Sequence, residues 1–219
     1  MTTASTVYDC TDAAVLPLIL DETARRIGAG ELIVMPTDTV YGIAADAFDH
    51  DAVERLLHAK GRGRAMPPPV LIGHAGALDG LAAEVPPFAR AMAERLWPGG
   101  LTLILQAQPS LDWDLSETHG TVALRMPDHP VALDLLRRTG PLAVSSANRS
   151  GSPAAGEITA AREMLGDVVG IYLDAGPVTG GEASTIVDAT VVPPRVVRAG
   201  AVALEALREL APDLQTVEP

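Results

Sequence analysis

Lysine is nearly absent from this 219-residue chain: Lys60 is the only one, and the other fifteen basic residues are arginines. Cysteine is equally scarce, and the lone Cys10 excludes an intramolecular disulfide and a cysteine-rich zinc site. The five histidines form no HxH or HExxH pattern, so no protein-held transition metal is expected. Aromatic residues make up only 3%, which leaves a core of Ala, Val, Leu and Ile. No run of about 18 apolar residues occurs, and no basic segment leads into an apolar one at the N-terminus, so the expectation is a soluble, cytoplasmic protein without a membrane anchor. Positive charge is also short: the net charge is −12, which opposes general adhesion to nucleic acid or anionic lipid. A phosphate-bearing ligand therefore needs a local basic site. Neither GxxxxGK[ST] nor GxGxxG is present, and GxSxG is missing, which argues against two common phosphate cradles and an α/β-hydrolase.

What is present is an alternation of strand-like and helix-like segments with no linker, repeat or charge block between them, consistent with one domain over 1–219, its core about 12–210, and no further C-terminal domain. Helical spacing runs through Ala13 to Gly28, Asp51 to Lys60, Pro87 to Trp97, Val131 to Arg138 and Leu204 to Leu210. Strands are expected at Glu31–Met35, Val70–Gly73, Leu101–Gln106, Thr121–Arg125 and Pro141–Val144. Shorter segments at 160–165, 171–173, 184–187 and 195–198 complete the set. Strands and helices do not alternate one for one, which predicts a mixed α/β sheet. Pro36 to Gly42 is read as a loop at a strand end, a common place for ligands in such folds.

Lys60 opens the run Lys-Gly-Arg-Gly-Arg. It suits first a helix C-terminus followed by Gly61, and also a site that needs a compact point charge. Thr37, Thr39, Lys60, Arg62, Arg125, Ser146, Asn148, Ser184 and Arg198 all fall near strand ends. Singly, each has an ordinary reading as a turn, cap or surface-pair residue. Together they supply hydroxyls and cations without an obvious general base, which points to an anion-binding α/β enzyme working by positioning and charge stabilisation.

Laid end to end, PTDTVYGIAADAF (36–48), KGR (60–62), LWPGGLTLIL (96–105), TVALRMPDHPVALDLL (121–136), SSANRSG (145–151), STIVD (184–188) and VVRAGAV (196–202) resemble the YrdC/TsaC family of threonylcarbamoyl-AMP synthases. The resemblance implies a twisted mixed sheet flanked by helices, with a concave substrate surface. It implies a reaction of L-threonine, bicarbonate and ATP, with Mg2+ accompanying the nucleotide and no metal held by the protein, giving threonylcarbamoyl-AMP and pyrophosphate. The product would pass to a tRNA threonylcarbamoyl transferase complex for N6-threonylcarbamoyladenosine formation, with tRNA contact a further expectation. By matching positions, Thr39, Tyr41 and Arg125 are expected at threonine and bicarbonate, Lys60 and Arg62 at the reacting phosphate, and Thr121, Ser146, Asn148, Ser184 and Arg198 at ATP. The chain departs from the family pattern after KGR, where Met66 and Leu71 replace a usual asparagine and histidine, and at Ala154, where serine is frequent. Three other readings are an RNA-binding or ribosome-maturation module, a carbamoyl-transfer domain using carbamoyl phosphate, and a Ser-Lys hydrolase built on Ser146 and Lys60.

Overall fold

The computed structural model describes residues 5–178 and 181–216. In chain order the elements are β1 (Thr6–Asp9), α1 (Leu16–Ile27), β2 (Ile33–Met35), β3 (Gly42–Asp46), α2 (His50–Lys60), β4 (Val70–Leu71), α3 (Leu78–Leu81), β5 (Ala82–Glu84), α4 (Pro87–Leu96) and β6 (Leu101–Ala107). They continue with β7 (Thr121–Arg125), α5 (Pro130–Thr139), β8 (Leu142–Ser146), α6 (Ile158–Leu165), β9 (Ile171–Asp174), β10 (Thr185–Asp188), β11 (Arg195–Arg198), α7 (Leu204–Arg208) and β12 (Gln215–Thr216). The strands form a sheet in the order β1-β9-β2-β3-β8-β4-β7-β6-β10-β11-β12, with β5 added on β6. Pairings of both senses occur, parallel for β4 with β7 and β6 with β10, antiparallel for β3 with β8 and β6 with β7. The mixed α/β sheet expected from the segment pattern is thus present.

Helices cover the first half of the sheet on both faces. Leu20 and Ile27 of α1 and Val131 and Leu135 of α5 pack with Ile33, Met35 and Ala44, while Leu56 of α2 and Ile158 of α6 pack with Val34, Ile43 and Ala45 on the other side. Strands buried on both faces lose the apolar–polar alternation that marks a half-exposed strand. For that reason β3, with its sequence GIAAD, reads as an indistinct continuation of the preceding loop, and Gly42 proves to be its first residue. The short β1, β5, β12 and α3 also carry too little pattern to be read in advance. Elsewhere the boundaries shift by a few residues: α1 begins at Leu16, β2 at Ile33 and β10 at Thr185, and α7 stops at Arg208.

The second half of the sheet is different. Leu101, Leu103 and Leu105 of β6, Val122 and Leu124 of β7, and Val187 of β10 all enter one apolar cluster with α4 and α7. The two-residue period of a strand then turns Thr102, Arg125 and Ile186 to the opposite face. There they line a concave cavity of about 350 Å³. Among the described residues no helix is long and apolar enough to cross a membrane.

Candidate active site

Three guanidinium groups, from Arg62, Arg125 and Arg198, line this one cavity, with the hydroxyl-bearing residues Thr37, Thr39, Thr102, Ser145, Ser146 and Ser184 between them. Each arginine arrives by a different structural device. Arg125 ends β7 and follows the strand period. Arg62 follows α2, which Asp49 opens by accepting from the Ala52 backbone N–H. Gly61 closes α2 at φ 64°, its N–H donating to His58 O and that of Arg62 to Leu57 O. These bonds form the left-handed helix ending that glycine favours, and they send the chain sharply towards the cavity. Arg198 would share a face with Val196 by simple alternation, and so point into the core. A register shift lets Ile186 pair with Arg198 while the next residue, Val187, pairs with Val196. The extra residue in β11 re-aims Arg198 into the cavity, a common use of a β-bulge.

Arg125 is buried and makes three hydrogen bonds with the protein. Its Nε donates to Gly99 O at 3.0 Å, Nη1 to Thr39 Oγ1 at 2.9 Å and Nη2 to Asp38 Oδ1 at 2.5 Å. The loop between β2 and β3 that presents Thr39 is held by Thr37, whose hydroxyl donates to Val40 O at 2.6 Å and accepts from the N–H groups of Thr39 and Val40. Arg198 donates from Nε and Nη2 to Ser184 O at 3.0 and 2.8 Å, and from Nη2 to Ser184 Oγ at 3.0 Å. Ser184 Oγ is also 2.8 Å from Thr102 Oγ1. Arg62 donates to Ser150 Oγ and Ser145 Oγ, both at 3.1 Å. Burial lowers the pKa of all three arginines; at Arg198 the nearby Arg62 adds to this, and at Arg125 the Asp38 carboxylate opposes it. An arginine remains charged under such shifts, so the cavity holds concentrated positive charge inside an acidic protein.

Lys60 is at the heart of the neighbouring loop rather than on the cavity wall. It is 1% exposed. Its ammonium donates to Ser146 O, to Asn148 O at 2.7 Å and to Asn148 Oδ1 at 3.0 Å. Burial, with Arg62 adding in the same direction, pulls its pKa down to about 7. The three oxygens around it favour the protonated form. Asn148 is itself fixed, accepting from Ser146 Oγ at 2.6 Å and donating to Ser152 O at 2.5 Å. Lys60 thus pins the Ser145–Asn148 loop beside the cavity. Ser146 directs its hydroxyl proton to Asn148, and Lys60 Nζ stands 3.5 Å from Ser146 Oγ, a geometry that does not activate a serine nucleophile.

Besides Lys60 and Asn148, two further expected site residues lie off this cavity. Tyr41 is fully buried, its phenol donating to Gly176 O and accepting from the Ala175 N–H, while its backbone joins the loop to Ala147 and Ala155. It braces the loop from behind. Thr121 lines a separate, mostly apolar slot of about 170 Å³ with Ile104, Val122, Ala123 and Val197. Pro67, Pro69 and Ile186 line both spaces, so the slot adjoins the cationic cavity. Met66 and Leu71 also line the main cavity, where they present apolar atoms. Arg64 turns away and pairs with Asp114 at 2.6 Å. Asp38, which the sequence did not single out, is the only carboxylate paired with a cavity arginine among the described residues. No group of three or more His, Cys, Asp or Glu among those residues is arranged to hold a metal ion.

The sequence pattern of the Sua5/YciO/YrdC family, described as telomere recombination, matches residues 25–200. A Mycobacterium tuberculosis (strain ATCC 25618 / H37Rv) protein with the provisional name threonylcarbamoyl-AMP synthase is 52% identical over 203 residues, covering 93% of this chain and 94% of its own. The threonylcarbamoyl-AMP synthase of Bacillus subtilis (strain 168) is 38% identical over 187 residues, 84% of this chain and 54% of that protein. Pyrococcus abyssi Sua5, solved in complex with L-threonine, superposes with a TM-score of 0.92 at 32% identity over 97% of this chain and 63% of that one. The chain thus spans between half and two thirds of the length of these last two proteins.

Proposed function

This chain belongs to the Sua5/YciO/YrdC family, and on that premise we propose that it is a threonylcarbamoyl-AMP synthase. The reading is carried by one observation: three guanidiniums and a set of hydroxyls converge on a single cavity beside an apolar slot. L-Threonine places its carboxylate against Arg125 and Thr39. The ATP phosphates lie against Arg62 and Arg198, near Ser146 and Ser184, and the adenosine extends towards the slot with Thr121. Lys60 and Asn148 hold the loop that carries Ser146, and Tyr41 holds the loop that carries Thr39. Bicarbonate is consumed between the two ends.

The threonine ammonium gives up a proton to solvent, and the neutral nitrogen then forms a bond to the bicarbonate carbon as water leaves, giving a carbamate. A carbamate oxygen then attacks the α-phosphorus, and the bond to the bridging oxygen breaks with its electron pair going to pyrophosphate. Arg62 and Arg198 stabilise the negative charge that gathers on the departing group, while fixed contacts at Arg125 hold the nucleophile in line. Magnesium suits a site of this kind when it enters with the nucleotide, because it retains water and binds chiefly through phosphates. In that form it neutralises triphosphate charge. The mixed anhydride hydrolyses readily in bulk water, so the product is consumed promptly by a tRNA threonylcarbamoyl transferase complex in the cytoplasm.

The test is to incubate the protein with ATP, magnesium, L-threonine and bicarbonate, omit each in turn, and follow pyrophosphate and the adenylate by mass. Formation of threonylcarbamoyl-AMP that requires all four is expected. Pyrophosphate release indifferent to threonine or bicarbonate would contradict the assignment.

A further inference from the structure

The guanidinium of Arg125 has a partly buried counter-ion, and those of Arg62 and Arg198 have none among the described residues. The side chains of Arg125 and Asp38 are 7% and 18% exposed and make a direct ion pair. Asp38 belongs to the same turn as Thr39, which Arg125 also holds. His129 at the start of α5 also feels the charge of Asp38; burial lowers its pKa, so at neutral pH it is uncharged and does not compete with Arg125 for Asp38. Of the five N–H donors of Arg125, Gly99, Thr39 and Asp38 take three. Two remain for an incoming carboxylate.

That carboxylate meets a guanidinium whose charge is already balanced. A simple anion gains from Arg125 and loses to Asp38 in nearly equal measure. A ligand that also carries an ammonium group next to its carboxylate recovers the loss, because its positive end is attracted by Asp38. We propose that Asp38 is a specificity-determining residue that makes the Arg125 end of the cavity a zwitterion site, selecting α-amino carboxylates over carboxylates of the same shape that lack the amine. This rests on the reading that the cavity takes L-threonine. The competing account makes Asp38 a brace that only orients Arg125, and it predicts equal weakening of every carboxylate ligand when Asp38 is changed.

Calorimetric titration without ATP or bicarbonate separates the two. The probes are L-threonine and the 2,3-dihydroxybutanoate of the same configuration, in which a hydroxyl replaces the amine. The readout is the ratio of their affinities, in which any loss of folded protein cancels. The wild type is expected to favour threonine, and Asp38→Asn to reduce that preference by about fivefold or more, with Asp38→Glu retaining it. Should the asparagine variant not fold, Asp38→Ser provides the same comparison. A ratio that falls by less overturns the proposal. Wild-type protein that binds ATP but not threonine overturns the functional reading itself, a distinguishable failure.

Discussion

Arg125 and Arg198 lie on one sheet and line one cavity, yet they are built to opposite electrostatic ends. Arg125 is locked by a carbonyl, a hydroxyl and the Asp38 carboxylate. Arg198 rests on the oxygens of a single residue, Ser184, with Arg62 as its charged neighbour. The first arrangement presents a rigid, charge-balanced fork suited to one small carboxylate in one orientation. Among the described residues the second leaves two positive charges uncompensated, which suits a ligand with several negative charges that arrives and leaves with each turnover. The cavity is thereby divided into a recognition end and a charge-absorbing end.

The strongest way to break this division is Arg125→Ala. It removes the carboxylate fork and strands Asp38, a change of about 2–5 kcal/mol for a buried paired charge. Adenylate formation followed by mass is expected to fall by about a hundredfold or more, with KM for ATP little altered. At the other end, Arg198→Ala is expected to raise KM for ATP about tenfold while KM for threonine stays within about twofold, as for loss of one charge-assisted contact. The wild-type enzyme should also lose ATP affinity with added salt more steeply than this variant, because the variant has one fewer unpaired cation to screen.

Gly200→Ala attacks the same end indirectly. A Cβ there would stand 2.1 Å from Ala183 O and 2.7 Å from the Ser184 carbonyl carbon, so the backbone under Arg198 must move. A loss of about 1–3 kcal/mol in urea unfolding is expected, with ATP binding impaired before threonine binding. The smallest effect concerns Lys60. Its folded pKa of about 7 lies below its ordinary value of 10.5, so between these pH values the unfolded chain binds the additional proton. Stability from this group therefore rises with pH across that window. The stability of the wild type relative to Lys60→Met should increase from pH 7 to pH 9 in paired urea melts, and a decrease would contradict the burial argument.

Much of the recognition end was legible in the sequence, because β7 obeys strict alternation and Arg125 follows from Val122 and Leu124. The other end was not legible in the same way. Arg198 reaches the cavity only through the bulge opposite Ile186 and Val187, and period-two reasoning alone would have buried it. Asp38 carries no signal of its own, because a Thr-Asp-Thr turn looks like ordinary loop chemistry until Arg125 arrives from 87 residues away. Lys60 ends α2, as its helix-terminus reading expects, but its ammonium turns inward to hold Ser146 and Asn148 and does not line the cavity where a phosphate contact was expected. Met66 and Leu71 do line the cavity, so the departure from the family pattern makes part of the wall apolar instead of removing it from the site.

The division of the cavity is tested most directly by titrating L-threonine and magnesium ATP separately into wild-type protein, Arg125→Ala and Arg198→Ala in a calorimeter. The account predicts a crossed result, with Arg125→Ala losing threonine binding while retaining ATP, and Arg198→Ala losing ATP affinity while retaining threonine. Equal loss of both ligands in both folded variants, or threonine binding that survives Arg125→Ala, would contradict it.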